Sequence, residues 1–328
     1  MKREDAQVAK RLIELALQCT KAATITGIYE RIKPGEDGRI RTVLSPVGTE
    51  TGRFASSDSF LEASTNLQNI PKKAAMLDPL FDARACIIAK PGYLLVEGDL
   101  SQAEARATSA YAGDTAALAM FDGGRDIHKW TASKIFKCAI DEVSKEQRHL
   151  GKVARHALNY GMGWSLFLDE INGDADLTGI AISAAEAKQI VDAYHADNQP
   201  LLQWWEAVWQ RVQRDGYLCN AFGRRRDFLS PYVRKTDVVA YLPQSTIADL
   251  LNWRLTALHE ESLWLSPLML LQIHDAILLE VPKEDATKAA KELQRYLTAE
   301  PVEINGYKLW VPADVSVGER WSEMEKVA

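Results

Sequence analysis

Two carboxylates stand where their flanking residues would carry them to a surface. Asp99 ends a short apolar run, Tyr93 to Gly98, that follows a Pro91-Gly92 breaker. Asp275 lies in His274-Asp275-Ala276, between the apolar runs Leu268 to Ile273 and Ile277 to Val281. A carboxylate at a strand end is a hard oxygen ligand suited to Mg²⁺. If both runs belong to one sheet, the pair could share two metal ions ~3.5 to 4 Å apart, the arrangement that stabilises attacking and leaving oxygens in phosphoryl transfer. Each acid alone also has a conformational reading. Asp99, or Ser101 after it, would cap the Ala-rich segment that follows, and Asp275 would serve a hairpin turn.

Arg148, Lys152, His156 and Tyr160 are spaced by four, so a helix would place them on one slowly winding stripe. Ser144 with Gln147 three residues later predicts a capping box that starts this helix. Arg148 and Lys152 then fall in its first two turns, where cations oppose the helix dipole and an anionic partner would offset the conflict. A solvated basic face is the other reading. Arg224, Arg225 and Arg226, just after Gly223, form a compact basic cluster in a turn, either a contact for a phosphate backbone or a solvated patch.

The elements that must position these residues follow from hydrophobic periodicity. Residues 4 to 19 read as an amphipathic helix with Val8, Leu12, Leu15 and Ala16 on one stripe, widened by Ile13 and Leu17. Ile25 to Ile32 and Arg39 to Leu44 flank Pro34-Gly35-Glu36-Asp37-Gly38, which predicts a hairpin. Gln102 to Met120 reads as helix, and Asp141 to Tyr217 as several helices, one bearing Trp204, Trp205 and Trp209. The hairpin around Asp275 is followed by a helix, Lys283 to Thr298, with Ala286, Ala289, Ala290, Leu293 and Leu297 inward, and by a final strand around Lys308 to Val317. Strand and acid, helical block, hairpin and acid, then helix and strand describe an α+β sheet domain interrupted by a helical insertion.

Composition sets the outer bounds. With 47% hydrophobic and 26% charged residues, the 328-residue chain has the composition of a soluble globular protein. Its length suits about two domains of roughly 150 residues, or one domain inserted into another. No run approaches the ~20 apolar residues of a bilayer span, and the opening MKREDAQVAK lacks the apolar core of a signal peptide, so the expectation is a cytoplasmic protein without membrane contact. Cys19, Cys86, Cys138 and Cys219 are scattered and read as reduced thiols without a metal role. A formal net charge of −6 speaks against a broadly basic nucleic-acid binder, so any phosphate contact must be local.

Taken in order, these pieces resemble the motifs of family A DNA polymerases from residue 51 to the end. Thr51-Gly52-Arg53 followed by Asn66-Leu67-Gln68-Asn69-Ile70-Pro71 resembles the family's TGR and NLQNIP signature. Asp99 to Arg106 is similar to motif A (DxSQxExR), Arg148 to Gly161 to motif B (RxxxKxxxxxxxYG), and Gln272 to Asp275 to motif C. Asp126-Ile127-His128 resembles the element between A and B, and Gln244-Ser245-Thr246 with Ala248-Asp249 a segment near the primer-template.

The resemblance implies a right-hand polymerase fold that adds deoxynucleotides to a primer 3′-hydroxyl. Asp99, Asp275 and the carbonyl of Leu100 would hold two Mg²⁺ ions, with Mn²⁺ as a substitute. One ion would activate the 3′-hydroxyl and the other would bind the triphosphate. Arg148, Lys152 and His128 would grip the triphosphate, Lys152 in a catalytic role, while Gln102, His156 and Tyr160 would border the nucleotide. Glu104 would lie under the 2′ position and exclude ribose. Arg53, Gln244 and His274 would touch the primer end or the minor groove, and Arg224 to Arg226 the backbone. The expected partners are primer-template DNA and deoxynucleoside triphosphates, with a separate thumb, exonuclease or processivity subunit, in a bacterial or phage-infected cell. The implied layout is residues 1–50 as a thumb remnant, 51–120 as palm, 121–234 as fingers and 235–328 as palm. Other readings are an RNA-templated polymerase and a nucleic-acid-binding subunit that needs a partner for activity.

Three positions depart from the family pattern. His156 stands where Phe or Tyr is usual, and its imidazole could donate to a phosphate or a 3′-hydroxyl. Ala276 follows Asp275 where a second acid is usual. Gly151 inside the motif B helix costs about 1 kcal/mol against Ala, which implies either a bendable helix or a close packing contact.

Overall fold

The computed structural model describes residues 11–12, 15–16, 19–20, 22–23, 26–27, 29–30, 32–57, 65–70, 82–173 and 175–327. Val8, Ile13, Leu17, Ile25 and Pro71 lie outside them. The described residues between 11 and 30 are helical, which corrects the expected hairpin on its upstream side. Tyr29 and Ile32, three residues apart, both pack against the cluster of Leu67, Leu95 and Trp321. A strand would send them to opposite faces, whereas helical spacing keeps them together. The turn itself forms, with Gly38 donating to the carbonyl of Gly35 at 2.9 Å and Gly35 to that of Arg39 at 2.8 Å. Leu12 and Leu15, expected to point inward, are exposed.

Strand β1 (Val43–Ser45) pairs with β2 (Ala55–Ser57), so the partner of the downstream arm lies further along the chain than expected. The acid-bearing run becomes β3 (Tyr93–Leu100) and leads into helices α1 (Ala103–Ala112) and α2 (Thr115–Asp122). A helical block follows: α3 (Ile127–Phe136), α4 (Lys145–Asn159), α5 (Trp164–Gly173), α6 (Ala184–Asp197) and α7 (Gln199–Asp215). A ribbon of β4 (Tyr217–Cys219) and β5 (Arg225–Asp227) leads to the 27-residue helix α8 (Lys235–Glu261). The chain then returns through the hairpin β6 (Met269–Ile273) and β7 (Ala276–Pro282), helix α9 (Ala286–Leu297), and strands β8 (Val302–Ile304), β9 (Tyr307–Leu309), β10 (Ala313–Gly318) and β11 (Glu325–Val327). The single final strand expected over Lys308 to Val317 is thus two strands with Pro312 between them; proline cannot donate to a ladder.

The central sheet is antiparallel in the order β11-β10-β3-β7-β6, so both acid-bearing segments meet in its middle. Alternation along β3 divides the core. Val96 and Leu100 join Leu293 and Leu297 of α9 in one cluster, while Leu95 joins Leu67, Leu278 and Trp321 in another. The five residues expected inward on α9 are all buried. A separate apolar core forms among α4, α5, α6, α7 and the start of α8, built around Phe167, Trp204 and Tyr241. The architecture is α+β, as expected.

Candidate active site

The two acids arrive from adjacent central strands. Asp99 is in register with Ala276 of β7, and the amide of Leu100 donates to the carbonyl of Asp275 at 3.0 Å. Only His274 and Asp275 separate β6 from β7, and His274 has a φ of 53°, in the left-handed region that tight hairpin turns require. Asp99 shares parity with Leu95, so it projects from the face opposite α9. The capping alternative for Asp99 does not hold. Gln102 occupies the N-cap of α1 with φ 54° and ψ 30° and without a side-chain cap, a strained backbone for a residue with a Cβ. The Gln102 Oε1 atom is buried without a hydrogen-bond partner.

Sequence reasoning missed Asp314 and Arg84. Asp314 on β10 lies directly across from Asp99, which puts both side chains on one face, and its carboxylate accepts from Ser101 Oγ at 3.2 Å and pairs with Lys326 at 3.0 Å. Arg84 is buried, stacks on the Trp321 ring at 3.9 Å and lies close enough to Glu97 and Asp99 to feel their charge. Strand register sets Asp314, packing of the turn Ala83–Cys86 on Trp321 sets Arg84, and local pattern carries no signal for either. Among the described residues no group of three His, Cys, Asp or Glu side chains is close enough to hold a metal ion. The donors available at the strand ends are therefore Asp99, Asp275 and main-chain carbonyls such as that of Leu100. This all-oxygen set suits Mg²⁺ or Mn²⁺, which bind through few carboxylates and complete their shells with water and substrate phosphates.

Helix α4 starts at Ser144 with the expected capping box. Its Arg148 donates from Nε to Asp126 Oδ2 at 2.6 Å, and Asp126 caps α3 by accepting from the amides of His128 and Lys129. Burial pushes the Asp126 carboxyl up, but the bond and charge of Arg148 together with the amides of Lys129 and His128 hold it below its ordinary value. His128 is buried and its Nδ1 lacks a hydrogen-bond partner. Burial, helped by the charges of Arg148 and Lys152, lowers its pKa to about 3. The buried imidazole is therefore held neutral. Gly151 resolves in favour of close packing: a Cβ there would lie 2.3 Å from the His128 carbonyl oxygen.

At the C-terminal end of α4 the Tyr160 hydroxyl donates to Glu104 Oε2 at 2.7 Å. Arg53 forms an ion pair with Oε1 of the same carboxylate. Burial raises the Glu104 carboxyl, yet Arg53, His156 and Tyr160 together hold it below its ordinary value. Burial, reinforced by that carboxylate, holds the Tyr160 phenol well above its own. The His156 ring is exposed and meets Tyr160 edge-on at 5.8 Å. Motif A and motif B are thereby joined through one part-buried carboxylate.

The arginine cluster is paired internally. Arg224 makes a bidentate pair with Asp249, its Nη2 at 2.7 Å, Arg225 pairs with Asp227 at 2.6 Å, and Arg226 pairs with Glu50. Arg224 also fixes the TGR loop. Gly52 has a φ of +79°, and a Cβ there would lie 2.6 Å from the guanidinium carbon. Gln244 is half-buried on α8, and His274 is exposed at the hairpin tip. Gln68 donates to the carbonyl of Gln272 at 3.0 Å, tying the NLQN segment to motif C. The four cysteines are free. No helix among the described residues is long and apolar enough to cross a membrane.

Comparison with known proteins extends the match upstream of the TGR element. The family model for DNA polymerase family A matches residues 1–323. The chain is 31% identical over 334 residues to the thermostable DNA polymerase I of Thermus aquaticus, covering 97% of this chain and 37% of that protein. It is 31% identical over 309 residues to DNA polymerase I of Mycobacterium bovis, covering 90% of this chain and 31% of that protein. It thus spans about a third of the length of these relatives. Among solved structures, the POL domain of Pol1 from M. smegmatis, in complex with DNA primer-template and dNTP, superposes with a TM-score of 0.71 at 25% identity, covering 92% of this chain and 51% of that one. Motif order, sheet topology and whole-chain similarity converge, and the chain belongs to DNA polymerase family A.

Proposed function

We propose that the chain is a DNA polymerase core that adds deoxynucleotides to a primer 3′-hydroxyl by metal-assisted phosphoryl transfer. The observation that carries this reading is the meeting of Asp99 and Asp275 at the ends of neighbouring central strands. In this reading residues 51–120 and 235–328 form the palm, 121–234 the fingers, and 1–50 a thumb remnant. Asp99, Asp275 and the Leu100 carbonyl would hold two Mg²⁺ ions. When bound, the ions supply Lewis-acid stabilisation of the attacking and leaving oxygens. The chain itself orients the reactants. Arg148 and Lys152 neutralise the triphosphate, Lys152 nearest the departing pyrophosphate, while neutral His128 offers a hydrogen bond.

Gln102, His156 and Tyr160 border the base and sugar. Glu104 forms the wall under the 2′ carbon. Its two oxygens accept from Tyr160 and Arg53, which hold the carboxylate in place, so a 2′-hydroxyl would meet a fixed wall. Gln244, His274 and Arg53 face the primer end. Arg224, Arg225 and Arg226 reach a phosphate backbone only by sharing or releasing their carboxylate partners. The M. smegmatis neighbour, solved with DNA primer-template and dNTP, supports the same two partners here.

The exposed Leu12 and Leu15 favour a second reading, in which the chain extends primers only with a partner seated on that helix. The test is extension of a labelled primer by the purified chain with Mg²⁺ and all four deoxynucleotides, on DNA and on RNA templates. Template-dependent extension on DNA is expected. No extension by the folded chain alone, restored by a cell extract, would move the function to the partnered assembly.

A further inference from the structure

The turn after Asp99 is held one peptide plane at a time. The amide of Leu100 donates to the carbonyl of Asp275 at 3.0 Å, and the amide of Ser101 to that of Pro312 at 2.8 Å. The next plane, between Ser101 and Gln102, is held by a side chain: Arg106 Nε donates to the Ser101 carbonyl at 3.1 Å. The helical ladder of α1 starts one residue later, with the Arg106 amide donating to the Gln102 carbonyl at 3.0 Å. Arg106 is buried, its guanidinium over the Phe121 ring at 4.5 Å. Its Nη1 donates to the Trp310 carbonyl at 3.4 Å, so one side chain spans the turn and the segment that leads into β10.

The plane that Arg106 holds is also the strained one. Gln102 has a φ of 54° and a ψ of 30°, the left-handed region that a residue with a Cβ rarely adopts. Because the peptide unit is planar, rotating the Ser101–Gln102 plane changes ψ of Ser101 and φ of Gln102 together, and a flip would carry Gln102 out of that region. The same flip swings the Ser101 carbonyl away from Arg106. A charge-assisted hydrogen bond from a buried guanidinium opposes it.

We propose that Arg106 is a positioning residue for the metal site: by pinning the Ser101 carbonyl it keeps Gln102 left-handed and the Leu100 carbonyl fixed beside Asp99. Metal-ligating groups depend on such outer partners for their orientation. The proposal rests on the reading of Asp99 and the Leu100 carbonyl as metal ligands, and Arg106 acts on them through Ser101.

The test uses the full chain and probes the site with Mn²⁺, reading the free ion by electron paramagnetic resonance, beside single-nucleotide extension over a range of Mg²⁺ concentrations. Asp99→Asn marks which Mn²⁺ binding belongs to the site. Arg106→Met, shown folded by circular dichroism, is expected to weaken that binding and to raise the half-saturating Mg²⁺ concentration by about tenfold. Arg106→Lys keeps the buried cation without the fork that spans Ser101 and Trp310; it shows a loss in the same direction and serves if Arg106→Met does not fold. Gln102→Gly removes the strain, since glycine adopts the left-handed region freely. In that background the Arg106 substitution is expected to weaken Mn²⁺ binding by less than about threefold, because the two residues are coupled. Undiminished Mn²⁺ affinity in the folded Arg106 variant would overturn the proposal. So would an equal loss in both backgrounds, which would make Arg106 a support of the fold alone. If the parent binds Mn²⁺ at Asp99 and extends no primer, the polymerase reading fails and the affinities still decide the role of Arg106. If no Mn²⁺ binding responds to Asp99→Asn, both fail.

Discussion

Glu104 is held by two donors before any nucleotide arrives, and removing it frees both. Glu104→Ala is expected to raise ribonucleotide relative to deoxyribonucleotide incorporation by at least about tenfold, since a fixed wall becomes open space. Single-nucleotide incorporation assays measure the ratio; an unchanged value would remove the steric role. His128 makes a second prediction, about stability. Its folded pKa of about 3 lies below the ordinary imidazole value, so the native state excludes a proton that the unfolded chain takes up. The stabilisation from keeping it neutral is fully present above the unfolded value near 6.5 and is lost as pH falls toward 3, at no more than about 1.4 kcal/mol per pH unit. Thermal unfolding between pH 7 and 4 should show a shallower decline in Tm for His128→Gln than for the parent. Parallel profiles would show that the ring is solvated.

Between elements, the contact of α3 with α4 sets where His128 lies against the helix of Arg148 and Lys152, the proposed triphosphate grip, and Gly151 permits it. Gly151→Ala gains about 1 kcal/mol of helix propensity. Even so, the Cβ would press on the His128 carbonyl oxygen, and overpacking of about 1–3 kcal/mol outweighs that gain. A lower denaturation midpoint and a raised KM for nucleotide are expected; a midpoint above the parent's would show that the helices separate freely. The strand and hairpin that deliver the acids were legible because a short apolar run, a breaker and a terminal carboxylate are local features. So was the start of α4, where Ser144 and Gln147 stand three residues apart. The upstream hairpin was misread because β-prone residues such as Tyr29 and Ile32 pack by helical spacing onto Leu67 and Trp321, far along the chain. Asp249 and Glu50 as partners of the arginine cluster, and Asp314 opposite Asp99, were illegible for the same reason.

Across the whole molecule, charge would limit how the proposed polymerase holds DNA. The net charge is −6, and the compact cluster Arg224 to Arg226 is already matched by carboxylates. Each phosphate neutralised adds about 0.9 to the negative slope of log affinity against log salt. Weak, distributive synthesis is expected from the purified chain, with short products in the presence of trap DNA. Because Arg225 is already engaged by Asp227 and stacked on Tyr217, Arg225→Ala should flatten the salt slope by no more than about 0.9. Fluorescence anisotropy on labelled primer-template at several salt concentrations reads the slope; long products from a single encounter would contradict the distributive expectation.

In the proposed function, Asp99 and Asp275 together would hold the metal ions that assist phosphoryl transfer. Its most direct measurement is single-nucleotide extension by the parent, Asp99→Asn and Asp275→Asn chains under saturating primer-template, with circular dichroism and Tm confirming that each variant is folded. Loss of Mg²⁺-dependent extension by at least about a thousandfold in both variants, with folding intact, is the predicted result. Substantial Mg²⁺-dependent synthesis by either folded variant would contradict it.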